Sequence, residues 1–193
     1  MKIAIMTIPH TGTHFVLNLL GGTRDNLADW MNKKFDANGH SFYVSHTYRL
    51  PIFEMMESEG YTIVSSLRHP ITTVKSWHDQ YTKTPLEIPE DVDDTRIYPP
   101  HIEKYVTVNN LPNLYKGLIM ASQLYDINFI PIDSPKREEF LEVFNMKYGL
   151  DLKTEWRPLN SHGEHTLDIP SDLLDQTNKM MKENKEFFDR FYD

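Results

Sequence analysis

The sequence contains no cysteine among its 193 residues. It therefore forms no disulfide bond, no zinc site with cysteine ligands and no thiolate nucleophile. It also lacks the run of about 18 apolar residues that a transmembrane helix requires, and its first residues are too short an apolar stretch for a signal peptide. From these absences we expect a protein without a transmembrane segment, located in the cytoplasm.

Positive charge is also scarce, because 20 Lys and Arg residues face 28 Asp and Glu residues, for a formal net charge of -8. A domain that binds nucleic acid normally has a basic patch and a raised pI, so we expect no nucleic-acid partner. Binding a nucleotide requires only a few backbone N–H groups and one or two cations, so the net negative charge does not exclude nucleotide binding. The length and the hydrophobic fraction of 39% predict a single domain over residues 1–193.

Short apolar runs alternate with segments of helical periodicity along the chain. Such alternation predicts an α/β fold with a central parallel sheet of about four strands flanked by helices, and with ligands at the carboxyl ends of the strands. The predicted strands are 2–7, 41–45, 61–67 and 128–132. The predicted helices are one around Phe15 to Leu20, and 26–35, 50–59, 70–83, 113–125, 136–148 and 171–192.

A candidate phosphate loop lies between the first strand and the first helix, with the sequence Ile8-Pro9-His10-Thr11-Gly12-Thr13-His14. Glycine lets the backbone approach a ligand, and N–H groups at a helix start bind phosphate oxygens, with threonine hydroxyls as further donors. The loop is not a Walker A motif, because no Lys follows Gly12. A plain strand-to-helix turn with a threonine cap is the alternative interpretation.

A second candidate segment follows the strand 61–67. Arg68 stands at that strand's end, where a guanidinium can bind a phosphate with two hydrogen bonds. Ser76 follows eight residues later on the next helix, where its hydroxyl can donate to the same group. The alternative is a surface arginine beside a serine exposed on its helix.

Together the two segments resemble the cofactor motifs of sulfotransferases that use 3'-phosphoadenosine-5'-phosphosulfate (PAPS). That family has a Pro-Lys-Ser-Gly-Thr-Thr-Trp-like loop and an arginine followed eight residues later by serine. The resemblance covers residues 3–82 and implies a P-loop NTPase-like sulfotransferase architecture, with PAPS as donor and 3',5'-ADP as product. It implies that the 5'-phosphosulfate is held by His10, Thr11, Gly12, Thr13 and His14, and the 3'-phosphate by Arg68 and Ser76.

The resemblance also implies a catalytic base. Members of the family carry a catalytic histidine at a strand end about twenty residues before the motif arginine, and here His46 precedes Arg68 by 22 residues. An imidazole has a pKa suited to removing a proton from a hydroxyl or amine acceptor at neutral pH. The expected reaction is therefore transfer of a sulfuryl group to such an acceptor, a small molecule or a carbohydrate, with residues 84–112 forming the acceptor pocket.

Two departures from the family pattern need an explanation. The family's loop lysine is replaced by His10, which leaves three alternatives: His10 acts as a protonated catalytic group, another cation such as Arg49 or Lys75 takes its role, or transfer is slow or absent. The family's basic C-terminal cofactor segment has only one candidate counterpart here, the polar stretch 157–165.

Three other interpretations stay open at this point. One is a phosphotransferase, which needs Mg²⁺ and a carboxylate such as Asp79 to hold it. Another is a non-catalytic nucleotide-binding protein on the same fold. The third is a metal site built from histidines such as His162 and His165; it is disfavoured because no zinc-protease pattern is present, and we expect no metal.

Overall fold

The computed structural model describes residues 1–9, 11–22, 31–46, 49–83, 111–153 and 169–193, and within 77–83 only the backbone is described. One sheet of five strands runs through this part of the chain in the order β2-β3-β1-β4-β5. Neighbouring strands are parallel except for the edge strand β2, which is antiparallel to β3. The strands are β1 (Lys2–Met6), β2 (Lys34–Ala37), β3 (His40–Ser45), β4 (Thr62–Leu67) and β5 (Ile127–Pro131).

Seven helices flank the sheet in the described residues, so the predicted α/β class with a mainly parallel sheet is confirmed. They are α1 (Thr13–Leu19), α2 (Leu50–Ser58), α3 (Pro70–Lys83), α4 (Leu111–Leu124), α5 (Arg137–Tyr148), α6 (Ser171–Glu183) and α7 (Lys185–Tyr192). None of the helices in the described ranges combines the length and the apolar content that crossing a bilayer requires.

The sheet is buried on both faces, so the polar residues of its central strands that are also buried are small ones, such as Ser45, Ser65 and Ser66. Side chains alternate between the faces: Ile3 and Ile5 of β1 pack on one side, whereas Ala4 and Met6 pack on the other. Helices α1 and α5 contribute to the core on the first face. The second face is covered by the other helices, including the phenylalanine-rich α7.

The predicted helix 26–35 is wrong in its described part. Asn32 has a positive φ of 59°, and residues from Lys34 onward form β2. The cause is the turn at Asn38 and Gly39, whose φ values of 48° and 77° are both positive, as in a two-residue hairpin turn. This turn folds β2 back onto β3, so the sheet has five strands rather than about four.

The predicted terminal helix is divided into α6 and α7 at Asn184. That residue leaves helical geometry (φ −121°, ψ 35°), and its side-chain amide donates to the carbonyl of Met180 at 2.8 Å. Asparagine competes with helical backbone bonds through such local contacts. The break directs Phe187, Phe188 and Phe191 into the core.

The strand order places a topological switch point beside β1. The strand β3 pairs with one edge of β1 and β4 with its other edge. In open α/β sheets, ligands bind at the carboxyl ends of the strands on either side of such a point. The segments that follow β1, β3 and β4 are the ones that contain Gly12, His46 and Arg68.

Candidate functional site

The turn after β1 is held by Thr11. Its hydroxyl donates to the carbonyl of Ile8 at 2.7 Å and lies 2.9 Å from the hydroxyl of Ser66 in β4, and its backbone N–H also points to Ile8. Thr11 is fully buried. Its polar groups therefore fix the loop against the sheet, while its predicted contact with phosphate stays a prediction.

Gly12 supplies the backbone conformation that lets α1 begin. Its φ of 97° lies in the left-handed region, and its carbonyl accepts the first helical bond, from Val16 N–H at 3.0 Å. A Cβ added to Gly12 would lie 2.6 Å from Cδ1 of Ile132, just beyond β5. The backbone conformation therefore favours glycine at this position, and an added side chain would also require the terminal methyl of Ile132 to move.

His46, directly after β3, meets the first residue of α1. Its Nε2 lies 3.0 Å from the hydroxyl of Thr13, and that hydroxyl lies 2.6 Å from the hydroxyl of Thr7. The two threonines are buried and His46 is partly buried. The predicted base and the predicted phosphate loop are therefore in direct contact, through a chain of groups that can each donate or accept a proton.

Arg68 begins the segment after β4 and has a carboxylate neighbour. Its Nε lies 3.9 Å from Oδ2 of Asp133, and the two side chains are 22% and 26% exposed. The same carboxylate accepts hydrogen bonds from the backbone N–H of His69 at 3.0 and 3.1 Å and from the hydroxyl of Tyr192 at 3.1 Å. The predicted cation is thus part of a cluster that joins β4, β5 and α7.

Tyr115 supports this cluster from α4. It is fully buried, and its hydroxyl donates to the backbone carbonyl of Arg68 at 2.6 Å and lies 2.8 Å from the hydroxyl of Thr73. Burial raises the pKa of the Tyr115 phenol well above its usual value. Partial burial lowers the pKa of His69, and the nearby Asp133 carboxylate opposes that change.

Ser76 lies on the inward face of α3, three residues after Thr73, and is 7% exposed. That burial contradicts the alternative of a serine exposed on its helix. Lys75 and Arg49, the predicted substitutes for the family's loop lysine, are both exposed. His14, on the first turn of α1, is partly buried.

Several predictions fall outside the described residues. They concern His10, residues 84–110 of the predicted acceptor segment 84–112, and the polar stretch 157–165 with its histidines. The side chain of Asp79 is also outside the description. Within the residues that are described, no group of three His, Cys, Asp or Glu side chains could hold a metal ion.

Sequence reasoning missed Asp133, Tyr115 and the hydroxyls of Thr7 and Ser66. One signal for Asp133 was present, because a polar residue directly follows the apolar run that ends at Ile132, at the edge where parallel strands present ligand-binding groups. The two hydroxyls lie in apolar runs and become informative only when a partner from another strand is known.

A scan against protein-family models finds no match for this sequence, and a search of curated proteins finds none either.

Proposed function

We propose that this protein is a sulfotransferase that moves a sulfuryl group from PAPS to a hydroxyl or amine acceptor and releases 3',5'-ADP. The observation that carries the proposal is the 3.0 Å contact between Nε2 of His46 and the Thr13 hydroxyl. His46, the proposed base, contacts the first residue of α1. It therefore lies beside the position at which the proposed loop would hold the transferred sulfuryl group. The strand order supports the proposal, since Gly12 and Arg68 follow adjacent parallel strands.

The reaction needs one proton transfer and one exchange of bonds at sulfur. The acceptor oxygen or nitrogen forms a bond to sulfur, the bond from sulfur to the bridging oxygen of the phosphosulfate breaks, and the acceptor proton passes to Nε2 of His46. As a base, His46 must keep Nε2 unprotonated, so the mechanism requires Thr13 to donate to Nε2 and Thr7 to donate to Thr13. When the donor binds, the Thr13 hydroxyl turns to the phosphosulfate, which leaves Nε2 to accept the proton.

We assign the binding of PAPS to two groups of residues, one in the loop before α1 and one after β4. The loop from His10 to His14 holds the 5'-phosphosulfate, with His10 in the position of the family's lysine. Arg68 and Ser76 hold the 3'-phosphate, and the burial of Ser76 beside Thr73 supports an inward hydroxyl. A guanidinium fixed at a strand end can bind a phosphate through two parallel hydrogen bonds.

Ligand binding tests the nucleotide assignment. Calorimetric titrations with 3',5'-ADP, 5'-AMP and Mg-ATP, each on the wild type and on Arg68→Ala, give the comparison. We expect 3',5'-ADP to bind without metal and its affinity to fall at least about tenfold in Arg68→Ala, because a charge-assisted pair is lost. Preference for Mg-ATP would favour the phosphotransferase, and binding of 3',5'-ADP without any transfer activity would favour a non-catalytic nucleotide-binding protein.

Transfer assays test the base. His46→Gln should lower the transfer rate by about 10²- to 10⁴-fold, the usual contribution of general-base catalysis, while the affinity for 3',5'-ADP stays near that of the wild type. His40→Gln is the matched control, because His40 is the first residue of β3 and lies at the opposite end of that strand. A His46→Gln enzyme with the full transfer rate would remove His46 from the mechanism.

A further inference from the structure

The carboxylate of Asp133 places a negative charge beside the proposed 3'-phosphate position. It lies 3.9 Å from Nε of Arg68, the cation assigned to that phosphate. A phosphate bound by Arg68 would therefore stand within a few ångströms of a fixed negative charge. Like charges at such a distance repel each other appreciably where solvent screening is incomplete.

The position of Asp133 does not depend on Arg68. Both of its oxygens accept from the backbone N–H of His69, at 3.0 and 3.1 Å, and one also accepts from Tyr192 at 3.1 Å. By contrast, 3.9 Å from Nε of Arg68 is an ion-pair distance and too long for a hydrogen bond. The carboxylate is anchored by the neutral groups, so it stays in place when a ligand engages the arginine.

We propose that Asp133 is a specificity-determining residue that weakens the hold of Arg68 on the 3'-phosphate and so speeds the release of 3',5'-ADP. The proposal rests on the sulfotransferase function above. Donor and product carry the same 3'-phosphate, so a site that binds this group too tightly would retain its product. Product release limits turnover in many enzymes, and a fixed opposing charge is a direct way to accelerate it.

The position of the Asp133 charge also determines which nucleotides should bind less tightly. A nucleotide with a 3'-phosphate meets both Arg68 and Asp133, whereas 5'-AMP has no charged group at that position. Removing the carboxylate should therefore strengthen binding of the first ligand and leave the second nearly unchanged. Among the described residues, the titratable and charged groups near Asp133 include Arg68, His69, the Tyr115 phenol and the Tyr192 phenol. Burial and Asp133 itself both raise the pKa of Tyr192.

The test compares Asp133→Asn with Asp126→Asn. Asparagine keeps the shape of the side chain and one acceptor oxygen for His69 and Tyr192. Asp126 precedes β5 while Asp133 follows it, so its replacement removes the same charge about 20 Å away at the opposite end of the strand. Calorimetry gives the affinities for 3',5'-ADP and 5'-AMP, and displacement of a fluorescent 3',5'-ADP analogue gives the dissociation rate.

We expect Asp133→Asn to bind 3',5'-ADP about tenfold more tightly and to release it correspondingly more slowly, with 5'-AMP affinity unchanged and Asp126→Asn equal to the wild type. Unchanged or weaker 3',5'-ADP binding by a folded Asp133→Asn would overturn the proposal and leave the sulfotransferase function standing. Wild-type protein that binds no 3',5'-ADP would overturn both. If Asp133→Asn does not fold, Asp133→Ser is judged by the same criteria.

Discussion

Gly12 is the residue at which backbone, packing and proposed function coincide. Its φ of 97° disfavours any side chain, and a Cβ would also meet Ile132 at 2.6 Å. Gly12→Ala should therefore lower the free energy of unfolding by about 1–3 kcal/mol, mostly from left-handed strain and to a smaller extent from the required shift of the Ile132 methyl. Urea denaturation measures this change.

Gly60→Ala separates the two contributions. Gly60 has a φ of 76°, but nothing lies within 4 Å of an added Cβ, so its replacement carries the backbone strain alone. In an Ile132→Val background, which deletes the clashing methyl group, the effect of Gly12→Ala should approach that of Gly60→Ala. Equal effects of the two glycine replacements in the wild-type background would show that Ile132 adjusts without loss of stability.

The residues that sequence reasoning selected differ from Asp133 in the kind of signal they carry. Gly12, Arg68 and Ser76 were found because their spacing resembles known motifs and because they flank predicted strands. Asp133 is one of 28 acidic residues, and the groups it accepts from are 64 and 59 positions away in sequence. Its contacts depend on the meeting of three distant segments, which no local sequence pattern encodes.

At the scale of elements, buried strands were the best predicted. The strands β1, β3 and β4 are short segments rich in aliphatic, aromatic or β-branched residues, and this composition is typical of buried strands. The edge strand β2 was missed because its four residues alternate between exposed and half-buried, and its pairing with β3 supplies the stability. The Asn38-Gly39 pair was the available signal, since it favours a hairpin and not merely a turn.

The last helix, α7, has its own testable role. Phe191 is fully buried, and its ring centroid lies 4.9 Å from Phe140 and 5.2 Å from both Phe129 and Phe187. Phe191→Ala should lower the free energy of unfolding by about 3–5 kcal/mol, because apolar contacts are lost and a cavity remains. Denaturant unfolding followed by tryptophan fluorescence and far-UV circular dichroism measures it.

Phe191→Leu is the matched control for α7. Leucine keeps most of the buried apolar volume and should reduce stability by clearly less than alanine does. Because Tyr192 follows Phe191 and donates to Asp133, hydrogen exchange of the α7 amides reports whether the helix detaches locally. An alanine effect below about 1 kcal/mol would mean that the aromatic cluster does not anchor α7.

At the scale of the whole molecule, one sheet edge collects segments that are far apart in sequence. Alternating strands and helices predicted a parallel sheet, but the order β2-β3-β1-β4-β5 depends on which strands pair, and no local pattern specifies that. The order matters because β1 lies between β3 and β4. The contacts between His46 and Thr13 and between Thr11 and Ser66 both follow from this arrangement.

The stability of the whole protein should fall at alkaline pH because two phenols are held neutral in the folded state. Burial raises the pKa of Tyr115, and burial with the nearby Asp133 raises that of Tyr192. Above about pH 10 the unfolded chain ionises these groups while the folded protein keeps their protons, so the folded state binds more protons and stability falls as pH rises. The slope that each phenol contributes grows above pH 10 toward about 1.4 kcal/mol per pH unit as the unfolded phenol becomes fully ionised.

Replacing one phenol isolates its share of that slope. Tyr115→Phe should be less stable than the wild type at pH 8, because the hydroxyl contacts with Thr73 and with the Arg68 carbonyl are lost. Above pH 10 its stability should fall less steeply, by up to about 1.4 kcal/mol per pH unit. Thr73→Val removes the hydrogen-bond partner but keeps the phenol, so it should retain the wild-type slope. Urea unfolding between pH 8 and 11.5 measures the free energy of unfolding of the wild type and the two variants. Lysine titration contributes equally to all three proteins, so it cancels when their slopes are compared. A Tyr115→Phe slope equal to that of the wild type would show that Tyr115 ionises without unfolding the protein.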